Sequence, residues 1–147
     1  MKRSVFSLFM LMLFSFPQTT SAQYLKKHQW QNRILLIFAE HSENEVFQKQ
    51  MAELKAYEDG LKERKLIIYQ IFPKASREGL NTLNPSAPSA LFSSYNSDRA
   101  PFKIILIGLD GGIKIKSNDF LPCKSLFNTI DQMPMRRNEM KKKSNLH

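Results

Sequence analysis

Arg33-Ile34-Leu35-Leu36-Ile37-Phe38-Ala39 is bounded by Asn32 and Glu40 and, after Arg33, runs without a polar residue. A continuous apolar run of strand length reads as a strand buried on both faces, the habit of sheets covered by helices on each side. Directly downstream, Ser42 and Glu45 have the S-x-x-E spacing of a capping box, so a helix is expected to start there. Phe47, Met51, Leu54, Tyr57 and Leu61 then recur at helical steps on one face, and Gly60 is placed to give a left-handed exit. Lys65 to Phe72, K-L-I-I-Y-Q-I-F, repeats the buried-strand pattern. Two such strands around one helix make a parallel crossover unit.

Beyond this unit the segment from Pro73 to Pro88 is rich in Pro, Ser, Asn and Gly and reads as a loop. Ser89 to Tyr95 can form a short helix, and Phe102 to Ile107 is a third strand preceded by Pro101. Asp110-Gly111-Gly112 is a turn of residues that tolerate positive φ, and Ile113-Lys114-Ile115-Lys116 alternates with period two. These two features predict a hairpin whose lysines face water. A last helix opens at Pro122, runs through Phe127 and Ile130 and stops near Pro134. The order β-α-β-α-β-β-α defines a single three-layer α/β domain and resembles the thioredoxin fold. In that fold a proline, commonly cis, precedes the third core strand, which makes Pro101 the candidate.

A chain of 147 residues accommodates one domain, given a typical size of about 100 to 150 residues. With 42% hydrophobic and 24% charged residues it is too apolar for wholesale disorder. Met1-Lys2-Arg3 is a positive n-region, Val5 to Phe16 an apolar run, and Thr20-Ser21-Ala22 a stretch of small residues suited to signal peptidase. The apolar run is too short to span roughly 30 Å of hydrocarbon. Residues 1–22 are therefore expected to be a signal peptide cleaved after Ala22, and the mature protein to be periplasmic or secreted, touching the membrane only before cleavage. The formal charge of +9 falls little on cleavage, because the leader carries only Lys2 and Arg3. Outside the cell, a basic protein meets envelope or extracellular proteins and anionic polymers rather than nucleic acid. Residues 23–140 are assigned to the domain. Residues 141–147, which begin Lys141-Lys142-Lys143, are assigned to a solvated basic tail.

The lone cysteine, Cys123, excludes an intrachain disulfide. A thioredoxin-like oxidoreductase carries C-x-x-C where the first strand passes into the first helix, and Glu40-His41-Ser42-Glu43-Asn44-Glu45 stands there instead. His41 beside Ser42 lacks the G-x-S-x-G elbow of a hydrolase. No cofactor is implied. Thioethers select Cu(I), so Met133, Met135 and Met140 offer a copper-carrier alternative alongside ordinary packing.

Four blocks resemble one family: Trp30 to Ala39 (W-Q-N-R-I-L-L-I-F-A), Glu63 to Leu66 (E-R-K-L), Ile107 to Lys114 (I-G-L-D-G-G-I-K) and Ile130 to Met140 (I-D-Q-M-P-M-R-R-N-E-M). They are similar to the signatures of domain of unknown function 4174. That bacterial domain is also found in sushi-repeat-containing and coiled-coil-domain-containing matrix proteins. The resemblance implies an exported thioredoxin-like or peroxiredoxin-like fold without redox cysteines and with no established activity. The family's turn commonly reads G-K-D-G-G, and Leu109 here replaces that lysine.

The polar positions in the matching blocks are Arg33, Arg64, Asp110, Arg136, Arg137 and Glu139. Two roles are open to them: an ion-pair set tying the terminal segment to the sheet, in which Arg136 or Arg137 would pair with a carboxylate such as Asp131 or Asp110, or a surface gripping anions or a partner bidentately. The expected function is an exported binding module. Its alternative is a thiol-disulfide oxidoreductase or peroxidase using Cys123 with an external thiol.

Overall fold

The computed structural model describes residues 21–81 and 90–145; the expected signal peptide, apart from Ser21 and Ala22, lies outside them. The chain enters through α1 (Ser21–Lys26), which spans the Ala22–Gln23 bond, and passes into β1 (Arg33–Ala39). It continues through α2 (Glu45–Ala56), α3 (Glu58–Glu63), β2 (Leu66–Ile71), β3 (Ser76–Glu78) and α4 (Ala90–Tyr95). The second half is β4 (Phe102–Ile107), β5 (Ile113–Ser117), α5 (Cys123–Asp131) and α6 (Pro134–Ser144). One sheet has the order β3-β2-β1-β4-β5. β1 lies parallel to β2 with Arg33 opposite Leu66, and antiparallel to β4 with Ala39 opposite Phe102.

The apolar run of β1 follows from its position at the centre of the sheet. Leu35, Ile37 and Ala39 face a core with Phe47, Met51 and Leu54 of α2, Leu61 of α3, and Leu126 and Ile130 of α5. Ile34, Leu36 and Phe38 face a second core with Leu25 of α1 and Leu91 of α4. Alternation sends every other side chain to the opposite layer, so no position between them can be polar. His28 helps hold α1 to the sheet through its Nε2, 2.8 Å from the Tyr69 hydroxyl, which itself donates to Glu78 at 2.8 Å.

Several expectations need correction. The Ser42/Glu45 box does not form. Asn44 caps α2, its side chain accepting from the Phe47 amide at 3.0 Å, while the Ser42 hydroxyl donates to Glu43. Asn44 directly precedes the first turn, and its side-chain oxygen reaches the free amide three residues on. The expected single helix to Leu61 breaks at Tyr57, and Gly60 lies inside α3, with Lys65 (φ 51) making the left-handed step into β2. The Pro73–Pro88 loop contains a short edge strand, β3, paired antiparallel to β2; residues 82–89 lie outside the described set.

No described peptide bond is cis, so the bond before Pro101 is trans. The segment before β4 is fixed by buried Asn96, whose side-chain amide donates to the Ala100 carbonyl at 3.0 Å and accepts from the Ala100 amide at 3.1 Å. The assigned basic tail is helical through Ser144, with Pro134 in the first turn of α6 where its missing N–H costs nothing. His147 of that assignment lies outside the described residues. The hairpin lysines, Lys114 and Lys116, are exposed as expected.

Gly60 is needed for close approach rather than for its torsion angle. A Cβ there would stand 2.7 Å from Cε2 of Phe127, whose ring is packed against Tyr57 and under the Arg64 guanidinium. Overpacking costs about 1 to 3 kcal/mol, against about 1 kcal/mol gained from helix propensity. Gly60→Ala is therefore expected to destabilise the fold by about 1 kcal/mol in urea melts, although alanine is the better helix former.

Candidate functional site

Buried charge gathers at the amino end of β1. Arg33 opens that strand with the parity of Leu35 and Ile37, and its side chain is 1% exposed. Its Nη1 donates to the Arg64 carbonyl at 2.9 Å and to Oε2 of Glu139 at 3.3 Å. Arg64, at the end of α3, places Nε 3.1 Å from Oδ1 and Nη2 2.6 Å from Oδ2 of Asp131, a two-pronged grip on one carboxylate. Its Nη1 donates to the Gly60 carbonyl, and its guanidinium carbon lies 4.1 Å from the Phe127 ring centroid.

Arg136, in the first turn of α6, donates through Nε to Asp131 and through Nη2 to Glu63, both at 3.1 Å, with Glu139 at 3.5 Å from Nη1. Arginines 33, 64 and 136 thus alternate with Glu63, Asp131 and Glu139. Partial burial opposes ionisation of Asp131, but the hydrogen bonds and charges of Arg64 and Arg136 outweigh it and hold the carboxyl below its ordinary value.

Among the described residues, Nε and Nη2 of Arg33 have no hydrogen-bond partner. Leaving a buried polar group unpaired costs about 1 to 3 kcal/mol, which makes this edge the least compensated feature of the cluster. Arg33 also lines a cavity of about 300 Å³ walled by Gly108, Leu109, Met133, Pro134 and Met135, with Asp110 and Lys114 at its border. Asp110 accepts from the Gly112 amide at 3.0 Å and from Lys114 at 2.7 Å, so it stabilises the hairpin turn and stays outside the arginine cluster. Arg137 is exposed, with no side-chain ion pair among the described residues.

The three methionines diverge. Met133 packs against the larger core, Met135 is 43% exposed at the cavity, and Met140 is half-buried and does not border it.

The opposite pole, where β1 runs into α2, has other chemistry. Asn44 occupies the cap, and His41 and Glu43 are exposed, their Nδ1 and Oε2 3.6 Å apart. Cys123 opens α5 on another part of the domain and is fully buried. Glu53 accepts from the Cys123 amide at 3.0 Å, taking up the helix-terminal donor that would otherwise stabilise a thiolate. Burial, with the Glu53 charge adding to it, pushes the thiol up to about 11.

The model of the family described as "Domain of unknown function (DUF4174)" matches residues 24–139. The chain belongs to this family. Comparison with curated proteins gives no match. Among solved structures the DUF4174 domain resembles reduced 2-Cys peroxiredoxin of Plasmodium vivax, with 14% identity and a TM-score of 0.55 over 79% of this chain and 84% of that one. At that identity the likeness concerns the fold alone. The DUF4174 sequence blocks quoted above meet at the arginine pole: Arg33 from the first, Glu63 and Arg64 from the second, Gly108 to Asp110 from the third, and Asp131, Met133, Arg136 and Glu139 from the fourth. Of the two acids expected as partners of Arg136 or Arg137, Asp131 pairs with Arg136 and Asp110 does not. Sequence reading missed Glu63 as a partner, because an acid half-exposed at a helix end carries no spacing signal.

Arg136→Ala would remove the charge-assisted bonds to Glu63 and one of the two guanidinium partners of Asp131, leaving Arg64 as the other. A fully buried pair costs about 3 to 5 kcal/mol to break, and partial exposure of both acids brings the expected loss to about 2 to 3 kcal/mol. Arg137→Ala is expected to change stability by less than about 0.5 kcal/mol, so urea melts of the two variants should separate cleanly. Asp131 adds a pH signature. With its folded pKa depressed, its contribution is complete above the unfolded value near 3.8 and is lost as pH falls through the lower folded value. Asp131→Asn should be less stable at neutral pH and show a shallower loss of stability between pH 4 and 2 (roughly the carboxylate window) in pH-dependent melts.

Proposed function

We propose that this DUF4174 domain is an exported binding module that retains the thioredoxin-like scaffold without its redox chemistry. The observation that carries the reading is the state of the only thiol: Cys123 is inaccessible, away from the helix start that follows β1, and pushed up to about 11. A thiol attacks as its thiolate, so such a group is nearly inert at neutral pH. Export is supported by the basic, apolar and small-residue segments of Met1 to Ala22. The candidate partners are an envelope or extracellular protein or an anionic polymer, in keeping with the +9 formal charge.

Disulfide-reductase and peroxidase assays of the wild type and Cys123→Ser test the non-redox half. No turnover is expected from either. Activity that disappears with the thiol would overturn the reading in favour of an enzyme using an external thiol. Intact-mass measurement on exported protein tests the other half: the chain should begin at Gln23, and a product retaining Met1 would sink export by a cleaved signal.

A further inference from the structure

One edge of the Arg33 guanidinium, Nε and Nη2, is buried and has no hydrogen-bond partner among the described residues. We infer that the cavity bordered by Arg33, Leu109, Met133 and Met135 binds a carboxylate carried on a short apolar body, with the carboxylate oxygens on Nε and Nη2 of Arg33. The protein itself displays the geometry. On Arg64 the same two nitrogens hold both oxygens of the Asp131 carboxylate, at 3.1 and 2.6 Å. On Arg33 they are buried and unpartnered, while Nη1 is committed to the Arg64 carbonyl and Glu139 and keeps the guanidinium in place. A planar, two-oxygen acceptor fits a two-donor edge, and charge assistance strengthens both bonds.

The walls determine what the carboxylate carries. Leu109, Met133, Pro134 and Met135 are apolar, and the two charged residues at the border, Asp110 and Lys114, neutralise each other at 2.7 Å, which leaves Arg33 to supply the recognising charge. A volume of about 300 Å³ is at the small end of ligand sites, which excludes a bulky occupant. An inorganic phosphate would bring more charge than one guanidinium edge compensates and nothing to cover the apolar wall. Both nitrogens are buried in the unliganded protein, so a ligand reaches them only when lining side chains move, and the lining includes Met133 and Met135, side chains that adapt readily. Met135, exposed on the first turn of α6, is the one at the surface.

The carboxylate can come from a free short-chain acid or from the carboxyl terminus of an apolar peptide, since the atoms recognised are the same. This inference deepens the binding-module reading and rests on it. The two fail separately, because thiol-dependent turnover would sink that reading without altering a titration.

The test is calorimetric and NMR titration of the full mature chain with hexanoate, hexanamide, inorganic phosphate, an acetylated tripeptide ending in free leucine, and the same tripeptide as its amide. Saturable binding of hexanoate or of the free-acid peptide is expected, about tenfold or more tighter than its neutral amide, with shifts at Leu109, Gly108 and Met135. Binding of hexanoate alone assigns a free acid, and binding of the peptide acid alone assigns a chain terminus. Arg33→Lys should abolish the preference for acid over amide. Because that variant risks unfolding, Met135→Trp, outside the ion-pair cluster, is the second: it should block the cavity and weaken binding about tenfold at unchanged melting temperature. Equal affinity for acid and amide, a phosphate response matching that of hexanoate, binding indifferent to Met135→Trp, or no saturable response up to about 10 mM would each overturn the inference and leave the Arg33 edge to water.

Discussion

Arg33 begins the most buried strand of the domain, and a guanidinium cannot be left there without counter-charge. An isolated ion in a low-dielectric interior is penalised by several kcal/mol even after relaxation. The chain meets this constraint by bringing Glu139 from α6 and the Arg64 carbonyl from the end of α3 to the same nitrogen. Everything at this pole follows from that demand. α6 must lie against the sheet end for Glu139 to reach, and Arg136 on its first turn then meets Asp131 and Glu63. The carboxy-terminal helix is therefore held by charge: Arg136 is its one buried residue, with no apolar face sunk into the core.

This mechanism also explains which parts of the fold were legible in the sequence. Strands were readable because double-sided burial leaves an unmistakable run: β4 was expected at Phe102–Ile107 and lies there, and β1 was expected at Arg33–Ala39 and lies there. α6 was not readable. Its sequence, P-M-R-R-N-E-M-K-K-K-S, has no apolar stripe, and its order depends on partners more than 60 residues away. The capping error at Ser42 has a similar origin, since Ser42 and Asn44 both satisfy local preference and only the path out of β1 selects between them. β3 is too short, and too dependent on β2, to announce itself.

At the candidate site the sequence supplied the residue types and narrowed one pairing, Arg136 or Arg137 with Asp131 or Asp110, without choosing among the four. Arg33, Arg64, Arg136 and Glu139 meet, whereas Arg137, one position from Arg136, points to solvent, and Asp110 serves its own hairpin. Neighbouring residues on a helix are turned about 100° apart, so two adjacent arginines cannot both face one carboxylate. The exposed one is free of the constraint that fixes the buried one. No count of basic residues separates the two; the direction of the helix face does.

A scaffold of this kind places chemistry at loops and element ends, and the two ends of the sheet here are unequal. At the end where β1 meets α2, an asparagine cap, exposed polar groups and a trans proline leave an ordinary helix start. At the other end, a buried cation with an unfilled donor edge stands beside an apolar cavity. Fold likeness to a peroxiredoxin therefore carries little functional weight, because activity resides in a site rather than in the sheet that supports it. Stability alone would favour closing the Arg33 edge with another carboxylate, as Asp131 closes that of Arg64. Retaining it open, at the cost of an unpaired buried donor, is the arrangement expected where a strained or unsatisfied group is kept for binding.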